Sequence, residues 1–231
     1  MKSPTDKLVL EQHDNTLLIT LNNPPAHTWD EENLAGLKDV IAQANADRDV
    51  YALVITGSGE KFFSAGADLK LFADGEKGVA ATMAAAFGSA FEALSSFRGV
   101  SIAAINGYAM GGGLECALAC DLRIAESHAQ MALPEATVGL LPCGGGTQNL
   151  ARTVGEAWAK RMILCGERVD ADTARRIGLV EEVVDQGRAR DAALALAAKV
   201  GKQSPPAVAA CKSLIQAARG GGIRPAYAAE R

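Results

Sequence analysis

A chain of 231 residues that is 48% hydrophobic and 22% charged carries enough apolar material for one large core. Its net charge of -4 and isoelectric point near 5.5 give no general basic field for nucleic-acid phosphates or anionic lipid, so neither nucleic acid nor membrane is an expected partner. No window reaches the roughly eighteen apolar residues of a spanning helix, and no apolar stretch follows the single lysine at the N-terminus, which leads to the expectation of a cytoplasmic protein.

Two short apolar runs, Leu8-Val9-Leu10 and Leu17-Leu18-Ile19-Thr20-Leu21, flank a polar Asp14-Asn15 turn and predict a hairpin. Beyond Pro24-Pro25, the spacing of Leu34, Leu37, Ile41 and Ala44 predicts a one-faced helix over 30–46, and a strand follows over 51–56. Ser64-Ala65-Gly66-Ala67-Asp68, after Phe62-Phe63, suits neither strand nor helix and is expected to be a functional loop or tight turn. Val79, Met83, Phe87, Phe91 and Leu94 mark a long amphipathic helix ahead of a buried strand over 100–105. Asn106-Gly107 turns the chain, Gly111-Gly112-Gly113 leads into a helical run over 114–120, and residues 121–126 alternate like a strand. From Gly144 onward the pattern is almost wholly helical, with breaks near Gly155, Gly166, Gly178, Gly187 and Ser204-Pro205-Pro206, and the tail over 220–231 is expected to be disordered unless a neighbour holds it.

The five cysteines, at 116, 120, 143, 165 and 211, form no C-x-x-C pair and have only three histidines for company, so neither a disulfide framework nor a metal site is expected. Cys116 and Cys120 would share a helix face as core packing. Three clusters combine glycine, small residues and acids beyond what a core requires: residues 65–70; Asn106 through Glu115; and Leu133-Pro134-Glu135 through Thr147. Small side chains let a ligand approach the backbone, and glycines at a helix start leave N–H groups free for a developing negative charge. Taken singly, each cluster is as well explained by turn geometry or close packing, and lone glutamates such as Glu115 and Glu135 are usually solvated. A dinucleotide fold is disfavoured because nothing after Ile55-Thr56-Gly57-Ser58-Gly59 supplies a third glycine opening a helix. Gly107 to Gly113 lacks the Gly-Lys-Ser/Thr of a phosphate loop, and no Gly-x-Ser-x-Gly accompanies the histidines as a hydrolase would need.

In this order, the three clusters resemble the crotonase, or enoyl-CoA hydratase/isomerase, superfamily from about Leu8 to about Val184. Phe63-Ser64-Ala65-Gly66-Ala67-Asp68-Leu69 is similar to the family's first oxyanion-hole loop and Ile105 through Glu115 to its second; Gly178-Leu179-Val180 lies in a further similar stretch. The resemblance implies an α/β fold, a spiral of strand-strand-helix turns over 1–185 followed by a helical region over 186–231, and assembly as a homotrimer or dimer of trimers. It implies that the N–H groups of Ala67 and Gly112 hold a thioester oxygen, and that Ala26, Ala65, Ala67, Asp68, Leu69, Lys70 and Gly112 line the site of an acyl-CoA substrate. No separate cofactor is implied, since coenzyme A is part of the substrate.

Both glutamates used by the family's hydratases stand in this sequence, as Glu115 and Glu135, which points to hydration of an enoyl-CoA in fatty acid metabolism. Glu115 is assigned to water activation, kept ionised by the positive end of its helix, and Glu135 to proton delivery, its pKa raised by burial and by the other carboxylate. An isomerase on the same scaffold and a silent acyl-CoA-binding subunit are the competing readings. The sequence departs from the family at Cys143, where glycine is usual after Pro142, and in ending at Arg231 before the final helical segment that commonly covers the site. The apolar residues Val208, Cys211, Leu214, Ile215 and Ala218 are expected to form a helix face buried against a neighbouring subunit.

Overall fold

The computed structural model describes residues 1–72 and 75–220, so most of the tail expected to be disordered lies outside the described residues. The chain opens with a hairpin of β1 (Leu8–His13) and β2 (Thr16–Leu21), antiparallel in register from Leu8 opposite Leu21 to His13 opposite Thr16. Helix α1 (Glu31–Ala46) starts where the sequence places it because Asp30 accepts from the Asn33 N–H while the Asn33 side chain accepts from the Asp30 N–H. That reciprocal pair satisfies two of the donors a helix start leaves open. The apolar positions Leu34, Leu37, Val40, Ile41 and Ala44 are its buried face.

From there the chain winds as a spiral, each turn laying one strand in a large sheet, one in a small sheet, and then a helical segment. The first turn is β3 (Ala52–Gly57), β4 (Phe62–Ser64), a 3-10 turn at Leu69–Phe72 and α2 (Lys77–Ser95). The second is β5 (Val100–Ile105), β6 (Tyr108–Met110) and α3 (Gly112–Ala119). The third is β7 (Leu122–Glu126), β8 (Gln130–Ala132) and a 3-10 turn at Glu135–Val138. Then come α4 (Gly146–Leu164), kinked at Gly155, β9 (Val169–Asp170), α5 (Ala171–Arg176), β10 (Glu182–Val184), α6 (Ala189–Val200) and α7 (Pro205–Ala217). The large sheet has the order β1-β2-β3-β5-β7-β10, parallel from β2 onward; the small one is β4-β6-β8-β9, with β4, β6 and β8 parallel.

This is the expected spiral, but the short strands β4, β6, β8, β9 and β10 go beyond the sequence reading, and β9 and β10 correct the expectation of an almost wholly helical pattern after Gly144. Two or three residues are too few to show an alternation, and these strands exist because a neighbour in the sheet supplies their hydrogen bonds. The main core fills the space between the sheets and α1 to α4. A second core lies between the large sheet and α6, whose Ala189, Ala193 and Ala197 meet Leu18, Ala52, Val54, Ile102, Ala104 and Ile124. The 185/186 boundary falls between β10 and α6, yet α6 packs directly on the sheet. Cys116 and Cys120 are both buried in the main core, and burial pushes the Cys120 thiol up to about 12.

Helix α7 has no fully buried residue. It is held by polar contacts: Lys212 Nζ donates to the carbonyls of Phe97 (2.7 Å) and Gly99 (3.0 Å) and pairs with Asp121 (2.7 Å), and Gln216 reaches Ser95 O (2.9 Å). Val208 is half-buried, whereas Cys211 is exposed and Ile215 is 71% exposed, so much of the expected apolar face is turned outward. No helix among the described residues is long and apolar enough to cross a membrane.

Successive turns of the spiral are tied together by the buried side chain of Asn106. Its Oδ1 accepts from the Gly57 N–H (3.0 Å), and its Nδ2 donates to the carbonyls of Gly57 (3.0 Å) and Gly59 (2.9 Å). Asn106→Ala strands the Gly57 groups without partners, and the expected loss of stability in urea unfolding is about 3 kcal/mol. A loss below about 1 kcal/mol would show that the two turns hold together without this side chain.

Candidate active site

The three sequence clusters meet because each follows one strand of the small sheet. Strands β4, β6 and β8 are parallel neighbours, pairing Phe62 with Tyr108 and Tyr108 with Gln130, so their C-terminal ends share one edge. The chain leaves that edge as the 65–68 loop, the start of α3 and the Pro134-Glu135 turn. Ligands in open parallel sheets bind at this edge, where loops from several strands converge.

The first two loops touch backbone to backbone. Gly66, at φ 90°, lies so close to the second loop that a Cβ would sit 2.7 Å from Met110 O and 3.1 Å from Gly112 N; one on Gly113 would sit 2.2 Å from Ser64 O. Only glycine allows that approach. Ser64 braces the turn from below, donating to His27 O (2.7 Å) and accepting from Gly66 N (3.2 Å). The 66–68 segment pairs with Trp29: Trp29 N donates to Gly66 O (2.8 Å) and Asp68 N to Trp29 O (3.1 Å). Because successive groups of an extended chain alternate sides, the Ala67 N–H faces away from Trp29. Gly112 is the first residue of α3, where an N–H has no acceptor within its own helix.

These loops and the face of α2 enclose a cavity of about 430 Å³. Of the residues expected at the site, Ala65, Ala67, Leu69, Gly112, Glu115 and Glu135 all stand on its wall. Ala26, Asp68 and Lys70 do not. Ala26 supports the loop from behind, its carbonyl accepting from Ala65 N (2.9 Å); Asp68 accepts from Lys70 N (3.1 Å) at the start of the 3-10 turn, and Lys70 is exposed.

The two carboxyls have unlike surroundings. Glu115, in the first turn of α3 and only 2% exposed, extends away from its own helix start to that of α4, where Oε1 accepts from Gly144 N (2.7 Å) and Gly146 N (2.8 Å). Burial raises its pKa, and the loop N–H donors work against that rise. The expectation that its own helix start holds it is corrected in one respect: the N–H groups that hold it belong to the start of the next helix. Glu135 opens the 3-10 turn at the end of β8, and neither of its buried carboxyl oxygens has a hydrogen-bond partner. Burial pushes its pKa from an ordinary 4.5 up to about 7, and the charge of Glu115 adds to the rise. Cys143 lines the same cavity, its thiol pushed up to about 11 by burial and then by both glutamates.

Part of the wall escaped the sequence reading. Met83 and Phe87, which mark the apolar face of α2 in the sequence, are buried, yet they also form the cavity's apolar side with Ala80 and Ala84. The segment Thr137 to Leu141 closes the opposite side. Gly144 and Gly146 read in the sequence as a glycine-rich helix start, not as the donors to Glu115; a carboxylate two residues after a glycine triplet, with a second triplet ahead of another helix, is the only trace of that contact in the sequence.

Residues 11–224 match the family described as enoyl-CoA hydratase/isomerase. The chain is 38% identical over 226 residues to 2,3-dehydroadipyl-CoA hydratase of Escherichia coli, covering 97% of this chain and 88% of that protein. Among solved structures, DspI of Pseudomonas aeruginosa is 69% identical with a TM-score of 0.92, covering 94% of this chain and 88% of that one. An enoyl-CoA hydratase from Bacillus anthracis is 32% identical with a TM-score of 0.94, covering 97% and 88%. With the spiral, the converging loops and the pair of glutamates already in place, these likenesses show that the chain belongs to the enoyl-CoA hydratase/isomerase family.

Proposed function

We propose that the protein adds water across the 2,3 double bond of an enoyl-CoA thioester to give a 3-hydroxyacyl-CoA. The observation that carries this reading is two carboxyls of unlike environment in one apolar cavity, whose wall also contains Ala67 and Gly112. The hydratases named among its relatives support it. The thioester oxygen accepts from the Ala67 and Gly112 N–H groups, which stabilise the enolate-like charge that develops there without having to reorganise. The loop over 65–70, with Ala26 behind it, takes the coenzyme A portion, and no further cofactor is needed.

Glu115 carries the loop N–H donors that favour an anion, so it receives the proton of the attacking water as the hydroxyl oxygen bonds to C3. Glu135, unpartnered and titrating near neutrality, gives its proton to C2. The two then exchange a proton as a coupled pair before the next turnover. An isomerase would need only one carboxyl to move a proton between carbons, and unpartnered Glu135 is the residue that would serve. Product mass separates the two, since only hydration adds a water. We also propose a homotrimer or pair of trimers, supported by the outward-facing Cys211 and Ile215 of α7. Light scattering at micromolar concentration should then give a mass of at least three chains, and a monomer would refute it.

Glu115→Gln and Glu135→Gln each keep the side-chain shape and remove its acid-base capacity. Each is expected to lower hydration roughly a hundredfold or more, while coenzyme A thioester binding persists. Full hydration by either variant would break the paired-carboxyl mechanism.

The raised pKa of Glu135 predicts two pH effects of opposite benefit. Catalysis needs it protonated, so kcat/KM should fall as pH rises through about 7. Folding is also affected: the native state holds a proton that the unfolded chain releases near the ordinary 4.5, so stability falls as pH rises between 4.5 and about 7 and the penalty is complete above that. Glu135→Gln should therefore melt above the wild type at pH 8, with the gap closing near pH 5. Equal melting temperatures at pH 8 would mean that the carboxyl is not strained by burial.

A further inference from the structure

Behind the loop that carries Ala67, buried polar groups form one continuous chain, and the side chain at its centre, His27, takes no part in the proposed proton transfers. His27 is buried and stands at φ 51°, a left-handed backbone that Asn, Asp and His adopt more readily than other side chains. Its Nδ1 accepts from the Asn23 N–H (3.2 Å), so the ring proton is on Nε2, which donates to Ser58 O (2.8 Å). Ser58 is fixed in turn, because Asn106 holds the Gly57 N–H before it and the Gly59 carbonyl after it. At its other end His27 offers its own carbonyl to Ser64 Oγ (2.7 Å), and that hydroxyl accepts from the Gly66 N–H (3.2 Å). The chain thus runs from the buried amide of Asn106, through an imidazole, a carbonyl and a hydroxyl, to the residue before Ala67.

What is fixed at Gly66 decides where the next N–H points. The Gly66 carbonyl and the Ala67 N–H belong to one planar trans peptide and point in opposite directions. That carbonyl accepts from Trp29 N (2.8 Å), so the Ala67 N–H is turned away from Trp29, and Ala67 lines the cavity. Gly66 itself, at φ 90° and without a side chain, restricts this peptide little, so its orientation depends on ties from outside: Trp29 on the carbonyl and Ser64 on the N–H.

We infer that His27 and Ser64 are positioning residues for the oxyanion hole: His27 clamps the entry turn at Asn23 to the Ser58 loop, and Ser64 transmits that fixed position to Gly66, which keeps the Ala67 N–H aimed at the thioester oxygen. The inference rests on the reading of Ala67 and Gly112 as the donors to that oxygen. A donor held in advance acts most strongly on the charge that develops during reaction, so loosening it lowers turnover more than binding. A purely structural histidine and serine would affect stability and leave the turnover of the folded protein alone.

The test compares His27→Asn, Ser64→Ala and the double variant with the wild type, each shown to be folded by circular dichroism at the assay temperature. Asparagine tolerates the left-handed backbone and can accept from the Asn23 N–H, but it is too short to reach Ser58. Ser64→Ala leaves the His27 carbonyl and the Gly66 N–H without their partner; should it fail to fold, His27→Asn carries the test by itself. With 2-butenoyl-CoA, each single variant should lose about tenfold or more in kcat while KM stays within about threefold. The double variant should lose no more than the worse single one, since both cut the same chain. Difference infrared spectra of bound butanoyl-CoA, labelled at its carbonyl carbon, report the hole without any hydration. The carbonyl band should move to lower frequency on binding the wild type and return toward its free position in the variants. Wild-type kcat and an unchanged bound band in folded His27→Asn would overturn the inference, whatever its melting temperature, and so would additive losses in the double variant. No band shift in the wild type would remove the oxyanion hole and the inference with it. If the variants lose the shift but 2-butenoyl-CoA gains no water on the wild type, the hydratase reading fails and the inference stands; water added equally fast by His27→Asn gives the reverse.

Discussion

The site depends on the parallel register of three very short strands. Strands β4, β6 and β8 contribute three residues each, too few to be stable alone, and are held because every turn of the spiral places the next strand beside the last. Parallel pairing points all three chain exits the same way, so segments far apart in the sequence emerge at one edge. The large sheet sets the pitch of that spiral through the parallel pairs β3-β5 and β5-β7, and Asn106 fastens one turn to the previous one at the point where the chain crosses between sheets. Positioning of the cavity therefore depends on a buried amide that is not itself on the cavity wall.

Within that frame, local environment makes two chemically identical side chains different. Glu115 and Glu135 lie in the same apolar hollow and both have raised pKa values with burial as the leading cause. What separates them is the supply of donors. The start of α4 offers two N–H groups to Glu115, whereas the tight 3-10 turn that presents Glu135 leaves both of its oxygens unpartnered. A pair of titratable groups driven apart by their surroundings is the usual way one site holds an acid and a base together near neutral pH. Cys143 lines the same cavity, and burial first, then the charge of both glutamates, keeps its thiol protonated rather than nucleophilic.

The long elements were legible in the sequence because each spans several periods. Leu34 to Ala44 and Val79 to Leu94 announce their helices, and the strand over 100–105 announces itself by apolarity alone. The short strands were not, since three residues show no alternation and their stability lies in neighbours distant in the chain. The same division holds at the site. Ala65, Ala67, Gly112, Glu115 and Glu135 could be found because glycine and acid in that order resemble a family, but the partnership of Glu115 with Gly144 and Gly146 could not, because it depends on where α4 begins in space. Asp68 and Lys70 neighbour wall residues in the sequence yet stand off the wall, and Ala26, named by the resemblance, supports the loop from behind through its carbonyl. Met83 and Phe87 carry an ordinary core pattern, and nothing in that pattern says that one side of a buried side chain faces an empty volume.

The cavity has a consequence for how the protein is held together. An apolar cavity and an unpartnered buried carboxyl both oppose folding, the first by leaving wall atoms without contacts and the second by desolvating a charge. The compensating interactions lie elsewhere: two cores on opposite faces of the large sheet, the capped start of α1, and the amide ties of Asn106. Helix α7 contributes little to this, being fixed mainly through Lys212 and Gln216 with no fully buried side chain. The rigid part of the fold thus coincides with the spiral that aims the three loops, while large apolar side chains remain open to solvent at the cavity mouth, where Leu69, Val138 and Leu141 stand, and on the outer side of α7 at Ile215, besides scattered positions such as Val9 and Leu164. Those two regions are where additional hydrocarbon, from substrate at the first and from protein at the second, would add stability that the isolated chain lacks.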